Sequence, residues 1–322
     1  MNLIGHDPAW AEWRAALAST RMHHGWLLAG PRGVGKGSFA RAAAAELVAE
    51  SGIPQPGAGA HPDILLLDPQ PQDEDEARKR DEGKPFKLRR NITVDDIRRM
   101  QRRLTTRPTL GARRAVIVDP ADELEKGAAN ALLKSLEEPP AGTFFLLVAH
   151  HPGRLPATLH SRCRRLRFDR LADSEIDTVL REYAPEADRG SRAAAIVAAR
   201  GSPGEALHFI ARDLGKLHAL MRELLATGDR DLALRGALAG EMGARPDRDR
   251  LLAALDLARA TLAAALADAG AEQQLRIIEA HARITRLSAQ APTFNFDPGL
   301  LIMEIGGLLA SAALPTQAAT RA

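Results

Sequence analysis

The stretch Gly30-Pro31-Arg32-Gly33-Val34-Gly35-Lys36 constrains this chain more than any other. It stands between a short apolar run, Gly25-Trp26-Leu27-Leu28-Ala29, and an Ala-rich segment from about Ser38 to Ala49 that reads as helix. Strand, glycine loop, helix is the context of a phosphate loop. The glycines let backbone N–H groups line a phosphate-sized nest, and the helix N-terminus and the lysine add positive potential. Gly30, Gly33, Gly35 and Lys36 are therefore candidate nucleotide-binding residues. A complete loop follows its lysine with a Ser or Thr whose hydroxyl holds magnesium. Here that position is Gly37, and Ser38 comes one residue late, a rotation of about 100° on a helix. Two readings stay open: a scaffold that binds nucleotide weakly or not at all, or a loop that binds nucleotide without turnover.

Hydrolysing P-loop ATPases also need an Asp near magnesium and a Glu beside it to orient water. The apolar run Ala115-Val116-Ile117-Val118 ends in Asp119, but Pro120 follows, and Glu123 lies four residues on. Asp119 is thus a candidate residue of a degenerate carboxylate strand, or a simple loop carboxylate.

Further apolar runs at Ile64–Leu67, Phe144–Ala149 and Leu166–Phe168 alternate with helical segments at Trp10–Leu17, Val94–Leu104 and Gly127–Leu136. Thr93 before Asp95 and Asp96 is an expected N-cap. Short apolar strands alternating with helices predict a parallel sheet covered on both faces. Residues 51–60 read as a Gly/Pro/Ala-rich loop. The mixed-charge run at 69–90, with Asp73-Glu74-Asp75-Glu76 before Arg78-Lys79-Arg80, reads as a solvated loop insertion. After about residue 170 only helical patterns remain: Ser174–Arg181, Arg192–Ala199 and Glu205–Arg212, with a Gly201-Ser202-Pro203-Gly204 break, then long Leu/Ala-rich helices such as Leu251–Ala267 and Leu300–Leu314. Leu251, Leu252, Leu255 and Leu262 form an apolar face, expected mostly in the core. The expected architecture is an α/β P-loop domain at 1–168, a small helical domain at 169–212 and an all-α domain at 213–322. A chain of 322 residues accommodates two or three domains.

The formal charge of +3, with a pI near 9.3, is too small a bias to mark a nucleic-acid binder by itself. One cysteine, Cys163, excludes a disulfide within the chain and a multi-thiolate zinc site. No apolar run reaches the roughly 18–20 residues that span a bilayer, and the first residues lack a signal-peptide pattern. A cytoplasmic protein is expected.

Three more segments carry a resemblance. His61-Pro62-Asp63, Asn130-Ala131-Leu132-Leu133-Lys134-Ser135-Leu136-Glu137-Glu138-Pro139-Pro140 and Leu155-Pro156-Ala157-Thr158-Leu159-His160-Ser161-Arg162-Cys163, together with Gly30–Lys36, resemble the bacterial clamp-loader AAA+ family in order and spacing over residues 23–168. The resemblance implies an AAA+ fold for the first domain, a lid for the second and an oligomerising collar for the third. It implies that Arg162 is an arginine finger reaching into a neighbour's ATP site, a role that suits a planar, permanently charged fork. The bland reading of Arg162 is a surface arginine in a run with Arg164, Arg165 and Arg167. Cys163 is expected to pack as a small residue.

The family's hydrolysing gamma/tau subunits carry a complete loop, an Asp-Glu pair and a lid arginine. Here the positions hold Gly37, Asp119-Pro120 and Gly204. That pattern resembles the family's subunits that trigger a neighbour without firing themselves. The implied partners are gamma/tau and delta subunits, with the sliding clamp and primer–template DNA met through the assembled complex of the DNA polymerase III holoenzyme. No intrinsic catalysis and no required cofactor are expected, ATP and magnesium binding being weak or absent. Many members carry four zinc-binding cysteines near residues 51–60. None is present here, so no metal site is expected. Competing readings are an autonomous AAA+ ATPase, a P-loop nucleotide kinase and a pure scaffold with Arg162 idle.

Overall fold

A computed structural model describes residues 3–243, 245–291, 294 and 296–314. The last residues of the expected third domain, 315–322, lie outside the described residues. Two compact units result, Met1–Leu171 and Ala172–Ala322.

The first unit runs α1 (Asp7–Leu17), β1 (Gly25–Ala29), α2 (Lys36–Val48), β2 (Ile64–Leu67), α3 (Glu74–Asp81), α4 (Val94–Leu104), β3 (Arg114–Val118), α5 (Lys126–Glu137), β4 (Thr143–Ala149), α6 (Ala157–His160) and β5 (Arg164–Arg167). The five strands form one parallel sheet in the order β2-β3-β4-β1-β5. This is the expected α/β architecture, a parallel sheet with the glycine loop between β1 and α2. The period of two along each strand divides the core. Leu27, Val116, Val118, Phe145 and Leu147 face α4, α5 and α6, where they meet residues such as Ile97, Met100 and Leu132. Trp26, Leu28, Ile117, Leu146 and Val148 face α1 and α2, where they meet Trp13, Phe39 and Leu47. Trp13 and Trp26 pack edge-to-face with ring centroids 5.3 Å apart. Covering both faces explains why these strands read as unbroken apolar runs rather than as alternating ones.

Register sets where the chemistry lies. Leu67 aligns with Val118, Val118 with Leu147, and Ala29 with Ala149. Asp68, Asp119, His150 and Gly30 therefore all leave the sheet at its carboxyl edge, the usual ligand-facing edge of an open parallel sheet. Gly25, the first residue of β1, and Arg162, two residues before β5, lie at the opposite edge.

The insertion at 69–90 is a correction. It contains α3, an ordered helix, and its flanks pair through an antiparallel bridge between Pro71 and Leu88. The order of the charges, not their number, makes the helix. Asp73 caps it by accepting from the Glu76 N–H, acids fill the first turn and bases the last, as the helix dipole favours. Glu76 then closes the module, accepting from Lys79 Nζ and the Lys87 N–H, both at 2.6 Å. The Thr93 cap of α4 forms as expected, with Asp96 accepting reciprocally from Thr93.

The second unit is all helix: α7 (Asp173–Tyr183), α8 (Arg189–Ala199), α9 (Pro203–Ala211), α10 (Gly215–Thr227), α11 (Ala233–Met242), α12 (Arg248–Ala265), α13 (Ala271–Gln290) and α14 (Pro298–Ser311). The break expected at 201–204 is narrower than read. Ser202 caps α9, and Pro203 and Gly204 already belong to its first turn, where proline's missing N–H costs nothing. Leu255 and Leu262 are fully buried, whereas Leu251 and Leu252 are half-buried beside Phe296 and Leu301. Among the described residues no helix is long and apolar enough to cross a membrane.

Candidate functional site

The loop after β1 keeps its nest. Gly33 and Gly35 have φ of 75° and 105°, values that a side chain resists, and Gly35 sits at the cap of α2. At Gly35 a Cβ would also lie 2.9 Å from Leu3 Cδ1, because the segment before α1 lies across the loop and His6 Nε2 donates to the Val34 carbonyl at 2.7 Å. Gly30 answers a different demand. A Cβ there would lie 2.1 Å from the Phe168 carbonyl oxygen, so the loop's first glycine is required by backbone packing. Lys36, only 2% exposed, donates from Nζ to the carbonyls of Gly30 at 2.7 Å and of Pro31. Burial pushes its pKa down to about 8, against the pull of Asp122 and Asp119.

Asp119 stands beside this loop, and the Asp119–Pro120 peptide is cis. Burial pushes its carboxyl up, offset by Arg41 and Lys36. Arg41, one turn beyond Gly37 on α2, brings Nη1 to 3.8 Å from Asp119 Oδ2. A Cβ built on Gly37 would fall 2.5 Å from that same oxygen and 3.1 Å from Arg41 Nη1. The place where a hydroxyl-bearing side chain would start is thus filled by a carboxylate and a guanidinium. The usual magnesium arrangement needs a hydroxyl at 37 and a carboxylate open to the ion. The residues present do not fit it. Glu123 lies on the short 3₁₀ turn Ala121–Glu123. Burial raises its carboxyl, and Arg32 and Arg90 act against that rise.

Two residues of this edge were not singled out in the sequence. Asp122 accepts from the N–H groups of His150 and His151 at 2.9 and 3.1 Å, tying the Asp119 connection to the end of β4. His150 is pushed down to about 4, first by burial and then by Lys36, so it stands neutral near the lysine. No motif marks either residue. Arg41 was the third omission, and its signal was a cation four residues past the missing hydroxyl.

His61-Pro62-Asp63 is a structural device. His61 Nδ1 accepts from the Asp63 N–H at 3.0 Å, so Nε2 carries the proton and donates to Gln55 Oε1 at 2.7 Å. That bond ties down the loop at residues 51–60. Asp63 accepts from the N–H groups of Thr109 and Leu110 at 2.7 and 2.8 Å and faces Arg114. Burial opposes its ionisation, but these partners outweigh it and hold the carboxyl below its ordinary range. Arg114, 4% exposed, donates to the carbonyls of Arg103, Thr106 and Arg107, capping the end of α4.

The structure does not bring Arg162 to this loop. It follows α6 and precedes β5, at the amino edge of the sheet. Trp26 pairs with Arg164 and Ala29 with Arg167, so the length of β1, about 16 Å at the rise of a strand, separates Arg162 from Gly30. That exceeds the reach of one side chain. Arg162 is 34% exposed and pairs with Glu137 at 2.6 Å. Cys163 beside it is raised to about 12 by burial, which leaves a packed thiol without thiolate character.

A family model described as DNA polymerase III, delta subunit, matches residues 5–172. The chain is 35% identical over 167 residues to DNA polymerase III subunit delta' of Pseudomonas aeruginosa, covering 47% of this chain and 46% of that protein. It is 35% identical over 170 residues to the Escherichia coli subunit delta', covering 52% and 46%. It is 31% identical over 180 residues to subunit tau of Salmonella typhimurium, covering 54% and 26%. The chain thus spans less than half the length of the curated relatives it matches.

Proposed function

This chain belongs to the DNA polymerase III, delta subunit family, and from that premise we propose that it works as a delta-prime-type subunit of a clamp loader. In this reading it hydrolyses no ATP itself and supplies Arg162 in trans to the ATP site of a neighbouring gamma/tau subunit. The observation that carries the reading is the placement of Arg162 at the sheet edge opposite its own phosphate loop. An arginine there serves no phosphate held by Gly30–Lys36, yet it is open to a neighbour. Support comes from the other edge, where Gly37 lacks a hydroxyl, Arg41 faces Asp119 and Pro120 stands in place of a glutamate. Nucleotide and magnesium would then bind weakly or not at all, and zinc would have no site.

Residues 169–212 would act as the lid and residues 213–322 as a collar joining gamma/tau and delta subunits in the cytoplasm, at the nucleoid. The sliding clamp and primer–template DNA would be met through that assembly. The test is reconstitution with the same organism's gamma/tau and delta subunits. The chain alone should be inactive, and the complete assembly should show clamp- and DNA-stimulated hydrolysis. Arg162→Ala should assemble but lose stimulation, since a finger is worth about 10³–10⁵ in rate at the site it serves. The retained Lys36 and nest glycines favour a second reading, an autonomous AAA+ ATPase. Turnover by the chain alone, abolished by Lys36→Ala, would establish that reading instead.

A further inference from the structure

Two of the motif stretches meet at one glycine. Helix α5 ends at Glu137, before Pro139 and Pro140, and its end is pinned because His24 Nε2 donates to the Leu136 carbonyl at 2.7 Å. A Cβ on Gly25 would lie 2.8 Å from the Arg162 carbonyl oxygen, 3.2 Å from Cys163 Sγ and 3.3 Å from Leu136 Cδ2. Gly25 therefore lets the end of α5 and the Ser161-Arg162-Cys163 turn close on the start of β1. This contact sets Glu137 Oε1 at 2.6 Å from Arg162 Nη2. Arg162 Nη1 donates meanwhile to the Thr158 carbonyl at 3.0 Å and to Ser161 Oγ at 3.2 Å. The outer nitrogens of the fork are both held by this chain's own oxygens.

We infer that Glu137 is a positioning residue for Arg162, a latch that occupies the guanidinium until a neighbour's phosphate displaces the carboxylate. The inference rests on the reading of Arg162 as a trans-acting finger. Its energetics follow from place. The pair is reached by solvent, with Glu137 48% exposed, and such a pair biases an equilibrium by only about 1.4- to 5-fold. A phosphate group offers more charge and more acceptor oxygens than one carboxylate, and so wins the fork when it is presented. The return is favoured as well. Glu137 and Glu138 are two acids at the C-terminal end of α5, where the helix dipole disfavours negative charge, and Arg162 offsets that cost when it swings back.

The test uses the complex reconstituted with gamma/tau and delta subunits, with ATP hydrolysis measured with and without clamp and primed DNA. Glu137→Gln should raise the unstimulated kcat about 1.4- to 5-fold, leave the KM for ATP unchanged, and lower the ratio of stimulated to unstimulated rate by the same factor. Glu137→Asp, which keeps the charge on a shorter arm, should fall between wild type and Glu137→Gln. A merely structural contribution would lower assembly or both rates together, and either result overturns the latch. If Glu137→Gln leaves the ratio unchanged while Arg162→Ala abolishes stimulation, the latch fails and the finger stands. If Arg162→Ala is also without effect, the finger reading itself is lost.

Discussion

Replacing Arg114 with methionine tests whether the His-Pro-Asp segment is a structural clamp. Arg114 is buried and spends its two outer nitrogens on three carbonyls, at 2.7 Å to Arg103, 3.0 Å to Thr106 and 2.8 Å to Arg107, with Asp63 Oδ1 at 3.5 Å. Methionine keeps most of the apolar stem, so the cavity term is small. What disappears is the charge that faces Asp63 and the cap on the end of α4. Removing one member of a buried pair costs about 3–5 kcal/mol. The lower end applies here, because Asp63 keeps the N–H groups of Thr109 and Leu110.

The assay is urea unfolding followed by tryptophan emission. The chain's three tryptophans, Trp10, Trp13 and Trp26, all lie in the first unit, so the signal reports that unit alone. Asp63→Asn and the double variant complete a cycle. Coupling of about 0.5–3 kcal/mol is expected, the double variant losing less than the sum of the singles. The pH dependence carries a sign. The Asp63 carboxyl is depressed in the folded chain from its ordinary 3.8, so its contribution is present above about pH 4 and fades as acid protonates it. A loss under about 1 kcal/mol for Arg114→Met, or strict additivity in the cycle, would refute the clamp.

Two further outcomes concern the loop. Lys36 is lowered from 10.5 to about 8. Below about pH 8 both states hold the proton and the burial cost is present in full. Between about 8 and 10.5 only the unfolded chain holds it, so stability rises by up to about 3 kcal/mol across that window. Lys36→Met should lack the rise, and parallel urea midpoints for the two proteins at about pH 7.5 and about pH 10 would contradict this account. Gly30→Ala forces a Cβ against the Phe168 carbonyl and should destabilise the first unit by about 3 kcal/mol. Gly33→Ala, at a φ of 75°, should cost about 1–2 kcal/mol for the left-handed backbone. A loss at Gly30→Ala no larger than at Gly33→Ala in tryptophan-detected unfolding would refute the packing demand at Phe168.

The strands were legible because a sheet buried on both faces writes itself as short apolar runs, and Ile64–Leu67 or Phe144–Ala149 carry no competing helical period. Helix α3 was not legible from composition. Its charges read as a solvated loop because composition does not record their order, with Asp73 as cap and acids before bases along the dipole. The site divides in the same way. Gly30, Gly35 and Lys36 announce themselves by spacing within one turn of chain. Arg41 and Asp119 are 78 positions apart, and Glu137 and Arg162 are 25 apart, so no local pattern joins them. Only the parallel register, which aligns the ends of β1, β3 and β4, and the close approach at Gly25 make them neighbours. His61-Pro62-Asp63 was visible as a motif, but its task depends on Thr109, Leu110 and Arg114, which lie beyond any local window.

Gly37 has a further consequence, which concerns history. A chain that loses only a hydroxyl can recover it by one substitution. Here the space next to that position holds Asp119, and Arg41 stands behind it. A serine or threonine arriving alone would push against the carboxylate and disturb its ion pair before it could share an ion with it. Recovery asks the ends of both side chains, Asp119 and Arg41, to give way together. A hydroxyl can return at this position only together with a shift of the Asp119 and Arg41 side chains.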